Sequence, residues 1–176
     1  LVDDGDVIYI DSGTTTMHMV PYLLDKQRLT IVTASVHVIN MAVTYTRLNV
    51  ISTGGTFYAP SKAFIGPQAV ECLRRYNVTK AFLASTGISI EHGATNTSPL
   101  ECELKQSLMK KNCPHILLVD DSKFDHATLM SYCALKDLEY VVTNKRPSDA
   151  YLRHFDENGV KLIAPTQTII NGQEKL

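Results

Sequence analysis

The stretch VIYIDSGTTTMHMV, residues 7–20, decides the fold. An apolar, β-branched run, Val7–Ile10, gives way to small and hydroxyl-bearing residues and then to an apolar pattern with helical spacing, which is typical of a buried strand, a turn and a helix. Gly13 in the turn permits close backbone approach. Two interpretations of the turn stay open: an anion-binding loop at a helix N-terminus, or an ordinary helix cap without a ligand.

Six further apolar runs follow, separated by segments with helical spacing. They are LTIVT from Leu29, NVIS from Asn49, KAFLA from Lys80, HILLVD from His115, YVVT from Tyr140 and VKLIA from Val160. Continuously apolar strands are usually buried on both faces. The sequence therefore predicts an α/β fold, Rossmann-like, with a mostly parallel sheet flanked by helices on both faces.

Five helices are predicted between these strands, at residues 15–24, 35–45, 67–76, 99–111 and 148–158. Pro21 lies inside the first of them, where proline costs a helix about 3 kcal/mol, so that helix is predicted to be kinked or to form as two pieces. The stretch GGTFYAPSKAFIG, residues 54–66, is interpreted as an antiparallel strand pair or a mobile flap, whose aromatic residues and Lys62 cover a ligand.

The composition indicates one globular domain. The chain has 176 residues, of which 44% are hydrophobic, and this is enough to bury one sizeable core. A formal net charge of -1 argues against a surface built mainly for nucleic acid, which needs clustered Lys and Arg. No apolar run approaches the roughly 20 residues of a membrane helix, and the opening residues LVDDGDV are unlike a signal peptide. We therefore expect a cytoplasmic protein without membrane contact.

The cysteines and histidines do not suggest a metal site. The four cysteines are widely spaced: Cys72, Cys102, Cys113 and Cys133. Their spacing fits neither a zinc knuckle nor a redox C-x-x-C motif, so buried free thiols are expected. The six histidines are equally dispersed. We expect neither a metal nor a cofactor.

Small, hydroxyl-bearing or charged residues follow five consecutive strands where each one ends. In an open parallel sheet, ligands bind beyond the carboxyl ends of the strands, so these residues are the candidate binding set. The set comprises Asp11, Ser12, Gly13, Thr14, Thr15 and Thr16 after the first strand, Thr33 and Ser35 after the second, Gly54 and Gly55 after the third, Thr86 and Gly87 after the fourth, and Lys123 after the fifth. Lys123 either pairs with a ligand phosphate or only neutralises the aspartates beside it. Together these residues favour a small, polar, anionic ligand.

Three common catalytic or nucleotide-binding motifs are missing from the sequence. They are G-x-x-x-x-G-K-[ST], G-x-G-x-x-G after a strand, and G-x-S-x-G. Nucleotide hydrolysis, dinucleotide binding and serine hydrolase chemistry are therefore not expected.

Eight segments, in a fixed order along almost the whole chain, carry a family resemblance. They are DGDVIYIDSGTTT from Asp4, LTIVTASVHV from Leu29, STGG from Ser52, IGPQA from Ile65, KAFLASTGIS from Lys80, ECELKQSLM from Glu101, LLVDDSKF from Leu117 and YVVTN from Tyr140. Together they resemble the C-terminal effector-sensing domain of the DeoR family of bacterial transcriptional repressors. The ordered set is far more specific than any one of its members.

The resemblance implies an α/β sensor fold related to ribose-5-phosphate isomerases and CoA transferases, which binds a phosphorylated sugar or a related metabolite. In that family, an N-terminal helix-turn-helix domain binds DNA, and the sugar phosphate weakens that binding. We expect residues 1–176 to be the sensor domain alone, with DNA contact left to the domain that this sequence lacks. The resemblance also implies a homo-oligomer.

The same resemblance assigns roles to particular residues. It places the phosphate loop at residues 12–16, with Asp11 touching a sugar hydroxyl. Lys105 orients the ligand from its helix, and Lys123 approaches the ligand from a strand exit. The identity of the sugar stays open, because Thr86, Asp121 and Asn144 depart from the residues common in the family.

The competing interpretation is a working enzyme, a sugar-phosphate isomerase like ribose-5-phosphate isomerase. Aldose–ketose interconversion needs a carboxylate base that moves a proton between adjacent carbons. The related isomerases have acids in the loop after the fourth strand, where this sequence has residues 85–89, and a Glu beside the helix lysine, where it has Leu104. Glu91, Glu101 or Glu103 could reach inward, but a solvated helix face is the simpler interpretation. We therefore expect a sensor without catalytic residues. A CoA transferase would need a Glu nucleophile in a Gly-rich setting, which we do not find.

Overall fold

Seven strands of the protein fall where the apolar runs are. The computed structural model describes residues 1–45 and 47–165, and the backbone of two short strands beyond them. In chain order the strands are β1 (Val7–Ile10), β2 (Thr30–Thr33), β3 (Asn49–Ser52), β4 (Thr56–Tyr58), β5 (Ala63–Ile65), β6 (Lys80–Leu83), β7 (Gly87–Ser89), β8 (Gly93–Asn96), β9 (His115–Leu118), β10 (Met130–Cys133), β11 (Tyr140–Val142), β12 (Lys161–Ile163), β13 (Ile169–Ile170) and β14 (Gln173–Glu174).

The helices also follow the predicted order. They are α1 (Thr14–Met17), α2 (Val36–Val43), α3 (Pro67–Arg75), α4 (Pro99–Met109) and α5 (Asp149–Glu157), with short 3-10 turns at Val20–Leu23, Asp121–Lys123 and Leu135–Asp137. The predicted first helix forms as two pieces, α1 and the turn Val20–Leu23, and Pro21 stands at the start of the second piece. Proline is tolerated there because the first turn of a helix leaves its N–H groups unpaired.

Seven strands form one parallel sheet in the order β12-β11-β9-β6-β1-β2-β3. Every neighbouring pair in this sheet is parallel, which confirms the predicted α/β class and all seven predicted strands. From the interior strand β1 the chain moves outward through β2 and β3 to one edge of the sheet, and then crosses to the other side of β1 to form β6, the central strand. The chain therefore leaves β1 toward one edge of the sheet and leaves β6 toward the other, and ligands of open α/β sheets bind beyond the strand ends at such a position.

Both faces of the sheet are covered. On β1, Tyr9 points into a buried cluster with residues of α3, α4 and α5. Ile8 and Ile10 point the other way, into a second cluster with residues of α2 and the turn Val20–Leu23. This alternation follows from the two-residue period of a strand. It confirms the prediction of helices on both faces.

The uncertain stretch at residues 54–66 is a strand pair, the first of the two predicted alternatives. β4 and β5 pair antiparallel, with Thr56 opposite Ile65. The hairpin is tied to the exit of β2, because the Val36 amide donates to the Lys62 carbonyl at 3.0 Å and the Phe64 amide donates to the Ala34 carbonyl at 2.8 Å. The hairpin therefore lies beside the carboxyl edge of the large sheet.

A second, three-stranded antiparallel sheet, in the order β10-β8-β7, was not predicted. The sequence interpretation took the segment after β6 as a loop, and this was wrong for residues 87–96, which form the β7–β8 hairpin. Small residues are needed there for packing: a Cβ on Gly87 would lie 2.5 Å from the His126 carbonyl oxygen, and a Cβ on Gly93 would lie 2.1 Å from the Cys133 carbonyl oxygen. The hairpin leads directly into α4.

Two other expectations bear on the site only indirectly. The four cysteines are free thiols, but Cys102 alone is buried and the other three are half-buried. Among the helices that the structure describes, none is long and apolar enough to cross a membrane.

Candidate functional site

The exits of β1 and β6 touch at the carboxyl edge of the large sheet. The Asp11 amide donates to the Phe82 carbonyl at 3.0 Å, which continues the strand pairing into the loop. Immediately beyond, a Cβ on Gly13 would lie 2.2 Å from the Cβ of Ala84. The two loops therefore lie in contact, and glycine at position 13 leaves the space that a larger residue would need to share with Ala84.

A buried ion pair supports these loops from below. Lys105 Nζ on α4 lies 2.5 Å from Asp11 Oδ2 and also donates to the Ala84 carbonyl at 2.6 Å. The Asp11 carboxylate accepts from the amides of Ser12 at 2.8 Å and Ala84 at 2.9 Å. The Lys105 ammonium further lies 5.1 Å from the ring centre of Tyr132, a favourable cation–π geometry. Asp11 and Lys105 are 2% and 3% exposed, so the pair is an internal part of the site.

Above this pair lies a cleft of about 370 Å³. Its walls come from the exits of β1, β6 and β9, from the β4–β5 hairpin and from the junction of β8 with α4. This volume lies in the range of small-molecule sites. The cleft is therefore large enough for a metabolite with a carbon chain.

Half of the predicted binding residues line this cleft: Ser12, Gly13, Thr14, Thr15, Thr86, Lys105 and Lys123. The backbone amides of residues 13–16 donate no hydrogen bond within the described chain. They are the free N–H groups of the first helical turn. The hydroxyls of Thr14 and Thr15 stand beside them at the cleft.

The other half lie outside the cleft lining: Asp11, Thr16, Thr33, Ser35, Gly54, Gly55 and Gly87. Thr16 Oγ1 donates to the Asp11 carbonyl at 2.8 Å, and Thr33 Oγ1 donates to the Ile10 carbonyl at 2.6 Å. Ser35 Oγ caps α2 by accepting from the Val38 amide at 3.2 Å. These hydroxyls hold the strand exits in place. Their direct contact with a ligand, like that of the glycines, remains a prediction.

Two lysines at the cleft make no ion pair with any residue that the structure describes. They are Lys62 at the tip of the β4–β5 hairpin and Lys123 after β9. The two aspartates beside Lys123 have other partners. Asp121 pairs with Lys145, whose Nζ lies 3.9 Å from Asp121 Oδ2, and the Ser122 hydroxyl donates to the Asp120 carboxylate. That hydroxyl is the main cause of the lowered pKa of Asp120, and the charge of Lys123 is a smaller one. Among the described residues, Lys123 therefore does not form the salt bridge to its neighbouring aspartates that the sequence left open.

Glu101 corrects the interpretation of the glutamates as a solvated face. Glu91 and Glu103 are exposed as expected, but Glu101 is only 9% exposed and lines the cleft. Ser12 Oγ donates to Glu101 Oε1 at 3.3 Å. Burial raises the pKa of Glu101, against the lowering effect of the nearby Lys105 charge. The spacing of Glu101 and Lys105 was the available signal, because residues four apart share one helix face.

The sequence interpretation also missed Asn96 and Ser61, which line the cleft. Asn96 Oδ1 accepts from the Thr97 amide and from Thr86 Oγ1, both at 2.8 Å. The NH₂ group of Asn96 therefore points away from these two donors. Ser61 Oγ is enclosed and makes no hydrogen bond of normal geometry with a described residue, although it approaches the Glu101 carboxylate closely enough to lower the pKa of that group. Asn96 escaped notice because it ends β8, in the sheet that was not predicted.

Known proteins resemble this chain along most of its length. A family model described as the DeoR C terminal sensor domain matches residues 1–145. The HTH-type transcriptional regulator IolR of Bacillus subtilis is 34% identical, over 90% of this chain and 63% of that protein. The HTH-type transcriptional repressor GlcR of B. subtilis is 26% identical, over 95% of this chain and 64% of that protein. The L-fucose operon activator of Haemophilus influenzae is 24% identical, over 93% and 65%. The chain thus spans less than two thirds of the length of these relatives.

Two solved structures share the architecture. A D-ribose-5-phosphate isomerase in complex with phospho-erythronic acid matches 70% of this chain and 48% of its own, with a TM-score of 0.50 and 13% identity. The eIF2B beta subunit of Chaetomium thermophilum matches 73% of this chain and 37% of its own, with a TM-score of 0.50 and 15% identity. Such similarity shows the fold alone, and it confirms the predicted relation to ribose-5-phosphate isomerases. The relation to CoA transferases stays a prediction.

Proposed function

The chain belongs to the family of DeoR C-terminal sensor domains, and on that premise we propose that it binds a phosphorylated sugar or related metabolite and thereby controls a transcriptional regulator. The relatives carry names of transcriptional regulators, repressors and activators and are longer than this chain. In this proposal a separate helix-turn-helix domain of the whole protein binds DNA, and the regulator acts as a homo-oligomer.

The observation that carries the proposal is the surplus of unpaired donors at the cleft. Lys62 and Lys123 each bring an ammonium group without an ion-pair partner in the described structure. Of the residues with free amides, residues 13–15 border the same space. Ammonium groups and free amides at the start of a helix are what an anion such as phosphate requires. One carboxylate, Glu101, opposes them.

The parts of the cleft have separate tasks in this proposal. The phosphate binds to the amides of residues 13–16 and to the hydroxyls of Thr14 and Thr15, and Lys123 adds charge from the exit of β9. Asp11 and Lys105 hold the loop in position from below. Direct contact of Asp11 or Lys105 with the ligand is not needed for either role.

The signal begins at the β4–β5 hairpin. Lys62 at its tip closes on the bound anion, and the hairpin is hydrogen-bonded to the start of α2 through Val36 and Ala34. A ligand shifts such an equilibrium only if it binds one arrangement better than the other. The contact of Lys62 with the phosphate supplies that difference.

A second candidate function is sugar-phosphate isomerisation, and Glu101 favours it. A buried carboxylate with a raised pKa at a cleft has the properties of a general base. Against it stands the family, because the similar proteins IolR and GlcR are named as transcriptional regulators. The shared fold is no evidence for catalysis.

A thermal-shift titration with product analysis separates these functions. The chain is heated with each member of a panel of pentose and hexose phosphates and with each unphosphorylated parent sugar. A ligand at about 100 times its Kd adds about 2.7 kcal/mol to the free energy of unfolding, which is easily seen as a higher Tm. The proposal expects a shift with a phosphorylated compound alone and no turnover. Conversion of that compound into its isomer would establish the enzyme instead, and no shift with any phosphate would remove both.

A further inference from the structure

We propose that Glu101 is the specificity-determining residue of the cleft, which accepts hydrogen bonds from adjacent hydroxyl groups on the carbon chain of a phosphate ester. This inference rests on the proposed function and adds what the cleft recognises besides phosphate. A polyhydroxylated phosphate ester binds well, whereas inorganic phosphate and an alkyl phosphate of equal charge bind weakly.

The first argument is the shortage of donors around the Glu101 carboxylate. A carboxylate offers about four acceptor positions. Within the described residues, Ser12 Oγ donates to it at 3.3 Å, and the Ser61 hydroxyl approaches it as a second donor that lowers its pKa. Lys105 lies one helical turn away, but its ammonium is held by Asp11 and by the Ala84 carbonyl. A buried charged group without donors is costly, and ligand hydroxyls supply the donors that are missing.

The second argument is the enclosed hydroxyl of Ser61. It borders the cleft from the β4–β5 hairpin and makes no hydrogen bond of normal geometry with a described residue, but it approaches the Glu101 carboxylate closely enough to lower the pKa of that group. An alcohol both donates and accepts. An alcohol group of the ligand therefore bonds to the Ser61 hydroxyl and to the undersupplied Glu101 carboxylate together.

The third argument is the sign of the charge. Glu101 lines the same cleft as Lys62 and Lys123, and the Ser12 hydroxyl that it binds belongs to the proposed phosphate loop. A bare phosphate gains nothing from a second negative charge at this distance and is repelled by it. A ligand with hydroxyl groups offsets the repulsion through hydrogen bonds to the carboxylate. Removal of the charge must therefore act in opposite directions on the two kinds of ligand.

The experiment compares Glu101→Gln with Glu103→Gln. Both changes remove one carboxylate from α4, but Glu103 is exposed and outside the cleft lining. Dissociation constants are measured by calorimetry for the pentose and hexose phosphates, for n-pentyl phosphate and for inorganic phosphate. A site built around ligand hydroxyls discriminates strongly against analogues that lack them, so we expect the wild type to prefer its best sugar phosphate over n-pentyl phosphate by at least about tenfold.

In Glu101→Gln the preference for the sugar phosphate over n-pentyl phosphate falls several-fold, because the sugar phosphate binds more weakly than it does to the wild type. Inorganic phosphate, in contrast, binds the variant more tightly than it binds the wild type. Glu103→Gln keeps the wild-type values. An equal loss for every ligand would show a structural role only, and an unchanged preference would equally overturn the inference. If no phosphate compound binds the wild type, the proposed function fails first, and this inference fails with it. Binding of inorganic phosphate that is lost in Lys123→Ala, together with an unchanged preference in Glu101→Gln, would overturn the inference alone.

Discussion

Lys105 Nζ lies 2.5 Å from Asp11 Oδ2, although the two residues are 94 positions apart in the sequence. Because the same ammonium donates to the Ala84 carbonyl, one side chain of α4 joins the exits of β1 and β6. The floor of the cleft is therefore fixed by an internal contact. The loops that border it are set in position before a ligand arrives.

Replacement of one partner of this pair should destabilise the fold strongly. Lys105→Met leaves the buried Asp11 carboxylate without its cation, and breaking a buried pair in this way typically costs about 3–5 kcal/mol. Asp11→Asn should cost less than Lys105→Met, and the double variant should lose less than the sum of the two single losses. Urea denaturation without ligand measures all three. Exposed Lys136→Met is the control, and wild-type stability of Lys105→Met would contradict the structural role.

Lys123→Ala should weaken the binding of phosphate esters by about tenfold or more while leaving stability unchanged, because a charge-assisted contact is lost and no internal ion pair is broken. Calorimetric titration at two salt concentrations measures the effect, and the variant should also show a smaller salt dependence than the wild type. Lys136→Ala removes the same charge outside the cleft lining and should bind as the wild type does. Equal affinity of Lys123→Ala and the wild type would remove Lys123 from the site.

Gly13→Ala should disrupt the loop at the cleft, because the new Cβ would lie 2.2 Å from the Cβ of Ala84. The backbone at Gly13, with φ -67 and ψ 150, is itself open to alanine, so the clash is the cause of the damage. Combination with Ala84→Gly removes the opposing methyl group and should restore much of the lost stability and phosphate binding. Thermal unfolding and titration of both variants test this. A failure of the second change to rescue the first would show that the contact is not responsible.

Glu101→Gln should raise the free energy of unfolding near neutral pH. Burial raises the pKa of Glu101 in the folded protein, so the folded state holds its proton more tightly than the unfolded chain does. Ionisation of this group therefore lowers stability as the pH rises through the interval between the unfolded and the folded pKa. The advantage of Gln should be full above that interval and should vanish below the ordinary carboxyl range. Denaturation at a series of pH values measures it, and an advantage that grows toward acid pH would have the wrong sign.

The seven strands of the large sheet could be predicted because strands buried on both faces are continuously apolar and stand out in the sequence. The loop that we propose for phosphate binding stands out for the same reason, since residues 11–16 follow such a strand directly. The strands β7 and β8 could not be predicted, because they are short and consist mostly of glycine and polar residues. Thr95, for example, is fully buried, and its hydroxyl is satisfied by the Gly87 carbonyl at 2.9 Å.

The orientation of charged side chains also could not be predicted from the sequence. Glu101 and Glu103 are two positions apart on one helix, yet the first is buried at the cleft and the second is exposed. Because both side chains are charged, a hydropathy scale predicts that both are exposed to solvent. Lys105 was found through the family resemblance, but its carboxylate partner comes from a strand at the other end of the chain. Such pairing is a property of the packed structure.

The most direct test of the proposed site is a pair of amide NMR spectra, recorded without ligand and with the sugar phosphate that gives the largest thermal shift. The proposal predicts that the largest changes occur at the amides of residues 13–16, with smaller ones at Lys62 and Lys123, and that the unphosphorylated parent sugar leaves the amides of residues 13–16 unchanged. If the changes instead cluster elsewhere, for example around Lys145, Arg146 and the start of α5, the phosphate binds outside this cleft and the central claim is wrong.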